Sequence, residues 1–430
     1  MPGVLAHTAC SFCVQRRGRH DLRTCLALVA ALVVLLLLAG CGGGGPDGIL
    51  GTGDAGDGGD PGLDAASRIW PVTVLAYNDL GMHCMNQDFS ELMILPPFNT
   101  LHAQVIDRGS EEPRILTRGV AVRYVIPGNT SSAGKTSFWT YVPQLMGVTL
   151  AKNVGLTGNR LSGRMRPTGD NDWSATGIPI TPILDNGQED PYPLATVSVI
   201  RDTRTVGKTQ AVVPVSWEIS CNLCHNTPGI STATDILRAH DRLHGTSLRR
   251  SKPVFCGGCH QQAPLAAYGF TGDPNVPNLS HAMHGAHAAR MGAVRKLDSP
   301  CYACHPGVRT QCLRGVHYAK GLNCETCHVS MKTVASPTRR PWVDEPRCGN
   351  CHRRAGFQFE QPGKLYRESK GHHGIHCAAC HGSPHAITPT VTPADNVQAM
   401  ALQGHAGVID KCGVCHAQRP DEPFVHRLDD

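Results

Sequence analysis

The pentapeptide Cys-x-x-Cys-His occurs seven times after Ser220 and constrains this chain more than any other feature. The copies are Cys221-Cys224-His225, Cys256-Cys259-His260, Cys301-Cys304-His305 and Cys324-Cys327-His328, followed by Cys348-Cys351-His352, Cys377-Cys380-His381 and Cys412-Cys415-His416. Two thiols at this spacing can each add to one vinyl group on a porphyrin edge. The adjacent His then lies under the iron as its proximal ligand. Zinc ribbons pair two Cys-x-x-Cys units per metal and need no His directly after each. A disulfide framework has no use for the His. Thioredoxin-like pairs sit among alternating strands and helices, a pattern the flanking sequence lacks. Seven copies with His always in fifth place predict seven covalently attached c-type haems.

The motifs take 14 of the 20 Cys and 7 of the 23 His. Seven irons have seven further axial positions. The remaining His of this half are more than enough to fill them. The preferred distal ligands are His244, His284, His317, His373, His376, His385 and His405. His240, His281 and His287 are their nearest rivals, and His372 and His426 complete the supply. Met is scarcer here, which favours bis-histidine iron and hence lower reduction potentials than Met/His ligation gives. Of the other Cys, Cys84 and Cys312 could pair in an oxidising compartment, but spacing does not settle it.

Residues 216–430 therefore resemble the multihaem c-type cytochromes. Roughly 31 residues per motif cannot bury each haem alone. The resemblance implies that porphyrins pack against one another as the core. Only 22 residues are Phe, Trp or Tyr, in keeping with such a replacement of side chains. This domain is expected to hold little regular structure and only short helices.

The N-terminal part reads differently. Arg16, Arg17, Arg19 and Arg23 precede an apolar run from Leu26 to Leu38, short for a membrane span and right for a signal peptide. The run ends Leu38-Ala39-Gly40-Cys41, which resembles the lipobox of bacterial lipoproteins. That resemblance implies removal of residues 1–40 and lipidation at Cys41. Residues 41–67 are dominated by Gly and Asp and read as a flexible tether. From 68 to 215 short apolar runs alternate with Pro, Gly and Asn: Val72–Tyr77, Leu101–Ile106, Ala121–Ile126, Phe138–Val142, Leu194–Ile200 and Ala211–Trp217. They predict an all-β, sandwich-like domain. His83, Cys84 and the flanking Met82 and Met85 are read three ways: His83 as a ligand to a haem iron, the cluster as a copper site, or loop packing with Cys84 buried or disulfide-bonded. His102 reads as a strand residue. The run Ile94–Val105 is similar to segments in multihaem cytochromes of metal-respiring bacteria.

Charged residues make up 17% of the chain, which excludes a charge-rich disordered protein. The formal charge of +6 falls once the Arg-rich leader is discounted, and haem propionates would turn it acidic. Basic runs interleaved with aromatics, the mark of nucleic-acid binding, are missing. The expected function is electron transfer through seven haems in a lipid-anchored protein of the outer membrane, on its periplasmic or cell-surface face. Other redox proteins or cytochromes, or neighbouring copies of the chain, would be its partners. The alternative is a multihaem reductase of a small nitrogen or sulfur oxyanion, with one iron left open on its distal side.

Overall fold

The computed structural model describes residues 70–421, except 110, 111, 295, 296 and 358. The leader 1–40, Cys41, the tether 41–67 and His426 lie outside the described residues. Among the described residues no helix is long and apolar enough to cross a membrane.

Two antiparallel sheets occupy the N-terminal part. The first runs β1 (Val72–Tyr77), β4 (Asn99–Asp107), β9 (Trp173–Ile178), β8 (Arg166–Pro167), with β5 (Arg114–Ile115) also on β4. The second runs β11 (Arg204–Val212), β10 (Leu194–Arg201), β6 (Ala121–Val125), β7 (Ser162–Arg164). In β10 every second residue, Ala195, Val197 and Val199, is buried, and Val122 and Tyr124 do the same in β6. This two-residue period presents one face to the core that both sheets share.

Strand β1 is buried on both faces, which explains why its residues are apolar on both sides apart from Thr73. Val72, Val74 and Ala76 enter the core between the sheets. Leu75 and Tyr77 point the other way, into a second cluster with Ala378, Ala379 and Val414. The sheet thus carries the protein's main core on one face and a seat for the sixth and seventh motifs on the other.

The run Phe138–Val142, expected as a strand, is instead the start of helix α1 (Phe138–Met146). Phe138, Val142, Leu145 and Met146 recur at helical spacing and are all buried. Gly147, at φ 67°, closes the helix by donating its N–H to Pro143 O at 3.0 Å. The aromatic and β-branched composition of the run favoured the wrong period.

After Ser216 the chain forms short helices and single turns. Among the described residues of this half, only α2 (Thr232–His244), α3 (Leu279–Ala288) and α4 (Pro393–Gln403) exceed two turns. Of 47 buried hydrophobic residues among those described, 35 precede Ser216 and 12 follow it. This half therefore has little side-chain core of its own.

It is tied to the sheets at several points. Strand β12 (Val215–Ser216) pairs in parallel with β2 (His83–Cys84), and β13 (Val254–Phe255) with β3 (Leu92–Met93). The buried Glu218 carboxylate accepts the N–H groups of Val308 and Arg309 at 2.9 Å and of Thr310 at 2.6 Å.

Arg314 is fully buried. Its Nε and Nη2 donate to the two Asp395 oxygens at 2.6 and 2.9 Å, and its guanidinium lies 5.0 Å over the Tyr192 ring. Removing one member of such a pair strands a buried charge, at about 3–5 kcal/mol. Asp395→Ala should lower unfolding free energy in guanidinium titrations by that order. Arg314→Lys, which lacks the fork, should not preserve wild-type stability. A change below about 1 kcal/mol for Asp395→Ala would contradict this account.

Candidate metal and cofactor sites

Each motif winds one tight turn. The N–H of His225, His260, His305 and His352 donates to the carbonyl of its own first Cys at 2.9 Å, and that of His416 at 2.8 Å. The fourth and sixth motifs, Cys324–His328 and Cys377–His381, are single α-turns. Positions i, i+3 and i+4 of a helical turn share a face, so both sulfurs and the imidazole come to one side.

Six motif imidazoles face the ring of a His outside the motifs. His225 faces His287 with centroids 6.4 Å apart, His260 faces His240 at 6.2 Å, and His305 faces His284 at 6.1 Å. His328 faces His385 at 6.2 Å, His352 faces His317 at 6.0 Å, and His416 faces His372 at 5.9 Å. Two imidazoles bonding one metal ion from opposite sides, with metal–nitrogen bonds of about 2 Å and nitrogens about 1 Å from the ring centre, have centroids roughly 6 Å apart. All six pairs fall at that separation. Interplanar angles run from 18° to 74°, and such a linkage leaves rotation about its axis open. The donor set and spacing fit a metal held between paired rings.

Nδ1 contacts point the same way. His260 Nδ1 lies 2.8 Å from Pro277 O, His284 Nδ1 2.7 Å from Ser280 O, and His287 Nδ1 2.7 Å from Met283 O. A carbonyl can only accept, so each Nδ1 carries the proton and each Nε2 keeps its lone pair. Metal-bound His residues ordinarily use their second nitrogen this way. Desolvation and neighbouring imidazoles lower both His305 and His328 to about 4, which keeps them neutral.

Of the seven expected distal residues, His284, His317 and His385 thus face motif rings. The others have different surroundings. His244 is exposed, with its ring 4.8 Å from His240, and it is His240 that faces His260. His373 is exposed beside His372. His376 is buried with Nε2 at 2.9 Å from Asp170 O. His405 Nε2 lies 3.2 Å from Asp410 Oδ1. Spacing could not single out His240, His287 and His372, because opposed rings come from segments that meet only in three dimensions. Helical periodicity was the available signal, since His284 and His287 lie one turn apart on α3.

His83 is also committed elsewhere. Its Nε2 lies 2.7 Å from Pro96 O, and burial lowers it to about 4. Cys84 and Cys312 are both free thiols. Burial, with the neighbouring Cys312, raises Cys84. Cys312 Sγ is 3.7 Å from His385 Nδ1.

Burial also raises most motif thiols. Cys221, Cys348 and Cys377 rise to about 11, and Cys256, Cys380 and Cys415 to about 12. Neutral thiols are poor metal ligands. A hydrogen bond between the Cys301 and Cys324 side chains pushes Cys301 down and Cys324 up. Among the described residues, no three His, Cys, Asp or Glu side chains converge as a cage for a metal ion. The donors come as opposed imidazole pairs rather than as the thiolate tetrads of structural zinc.

His102, in β4, sits in a carboxylate network that sequence reasoning missed. Its Nδ1 lies 2.6 Å from Asp172 Oδ2 and its Nε2 3.4 Å from Asp79 Oδ2, while Tyr77 stacks on its ring at 5.4 Å. Burial alone would lower its pKa, but hydrogen bonds and charges from Asp172 and Asp79 reverse this and hold it at about 9. A folded-state pKa above the unfolded value gives stability that is fully present below about 6.5 and is lost as pH rises through about 9. The stability difference between wild type and His102→Asn should be greatest near pH 6, on the order of 3 kcal/mol, and should shrink through pH 9. A difference that stays flat with pH in denaturation curves would contradict this.

Comparison with protein-family models, curated proteins and solved structures finds no match for this chain.

Proposed function

We propose that this protein is an electron-transfer protein carrying seven c-type haems, one on each Cys-x-x-Cys-His turn. The observation that carries this reading is the set of six opposed imidazole pairs, each joining a motif His to a His from another segment. When bound, the haem supplies a one-electron iron couple. The chain supplies attachment, ligation and position. Motif sulfurs would form the covalent links and motif imidazoles would hold the iron from one side. His287, His240, His284, His385, His317 and His372 would hold it from the other at the first, second, third, fourth, fifth and seventh sites.

The carbonyls of Pro277, Ser280 and Met283 fix the tautomer and aim of three of these rings, so little reorganisation accompanies a change of charge. The two N-terminal sheets are read as a β-sandwich, and residues 216–430 as a multihaem domain with haem as its core. Lipidation at Cys41 and the following tether would anchor the protein at the outer membrane, where other redox proteins are its partners.

Mass spectrometry of the mature protein should find seven haems per chain. Electron paramagnetic resonance of the oxidised protein should give low-spin ferric signals from the six sites with opposed rings. A stoichiometric high-spin signal that shifts with nitrite or hydroxylamine would favour a reductase instead. His287→Ala should retain seven haems and convert one iron to high spin; an unchanged spectrum would remove His287 from the ligand set. Cys41→Ala should release the protein from the membrane fraction, and retention there would overturn the lipid anchor.

A further inference from the structure

The seven motifs are not ordered in space as they are in sequence. Helix α2 leaves the first motif and carries His240 to the second, where it faces His260. Helix α3 joins the first motif to the third, because His287 faces His225 and His284 faces His305 from one helix. The loop that follows the third motif joins it to the fourth, because Cys312 Sγ lies 3.7 Å from His385 Nδ1 and His385 faces His328.

The remaining links follow in turn. His317, whose ring lies 6.0 Å from that of His352 in the fifth motif, sits in the turn that leads into the fourth, where Leu322 N–H donates to His317 O at 3.0 Å. Tyr366 stands between the fifth and the sixth, donating its O–H to Gly382 O at 2.7 Å and its N–H to Glu345 Oε1, just before Cys348, at 2.5 Å. Cys380 and Cys415 pack in one hydrophobic cluster, joining the sixth motif to the seventh.

We infer that the electron path runs second, first, third, fourth, fifth, sixth, seventh, so that its two ends are the sites of His260 and His416, and the first site is interior. This rests on the proposed function, since it orders the haems which that reading places on the motifs. The two ends differ in their surroundings. His416 is buried, and its segment is held under the sheet by Arg108 Nη2, which donates to Gly413 O at 2.8 Å and to His416 O at 3.2 Å. His260 is half-buried beside the exposed Cys259. The His260 end is therefore the more open to a redox partner.

His225→Met and His260→Met test the order in the intact holoprotein. Either change should leave its haem attached and raise the potential of that site alone. A raised site holds its electron first, and that charge then shifts the haems next to it. Redox titration followed by nuclear magnetic resonance of the haem methyl groups should find two haems displaced beside the first site and one beside the second. The reverse pattern, which the order of the motifs along the sequence would give, overturns the inference.

A second pair of variants covers loss of folding at either Met substitution. Cys256→Ala/Cys259→Ala should leave six haems that equilibrate in a single phase after flash reduction. Cys221→Ala/Cys224→Ala should leave six of which one equilibrates separately. A single phase in both, or a split in the first alone, overturns the proposed order. Haem mass measured on the wild-type chain keeps the two questions apart. Fewer than seven haems counts against the functional reading, whereas seven haems with the wrong shift pattern counts against the order.

Discussion

The C-terminal half depends on one small unit, a turn in which the motif His donates its N–H to the carbonyl of the first motif Cys. That turn brings two sulfurs and an imidazole to one side of the backbone without help from tertiary structure. It recurs seven times in a region with few buried apolar side chains. Local geometry is thus repeated cheaply, and the long-range work falls to whatever supplies the opposing ring. Helix α3 shows the economy of this arrangement: two His one turn apart face two motifs that are 80 residues apart in sequence.

The sheets give this loosely built half its reference frame. Strand β1 uses one face for the shared core and the other for the cluster at the sixth and seventh motifs. The segment just before the first motif and the segment just before the second are each fixed as a short parallel strand. Buried charge fixes the intervening loops. Glu218 gathers three backbone N–H groups after the third motif, and Arg314 ties the following segment to α4. Unpaired, these groups would be costly to bury; fully bonded, they define where each loop must lie.

The parts of this structure that were legible in sequence are those with a short period. The motifs needed five residues. Strands β1, β6 and β10 announced themselves by apolar runs bounded by turn residues, and their bounds fall within a residue or two of expectation. Helix α1 was misread because Phe, Trp, Tyr and Val favour strands when taken alone, while the buried positions Phe138, Val142 and Leu145 follow a helical period. Strand β9, with Thr, Ser and Gly among its residues, gave too weak a signal. Opposed imidazoles were illegible for a physical reason: a ring brought from another segment has no fixed spacing to the motif it faces. Local hydrogen bonding, visible only in the fold, separates His287, with Nδ1 on a carbonyl, from His376, with Nε2 on one.

The two parallel strand pairs carry a consequence for the order of assembly. Strand β2 meets β12 more than 130 residues later, and β3 meets β13 more than 160 residues later. Each pair is only two residues long, too little to hold such a loop closed unaided. They can form only against sheets that already exist, so the antiparallel domain comes first and the motif-bearing chain is laid onto it. Until then the motif turns, which are local, remain reachable from solvent. If the motifs carry haem as proposed, its covalent attachment and the docking of the two halves would be separable events, and the first would not have to wait for the second.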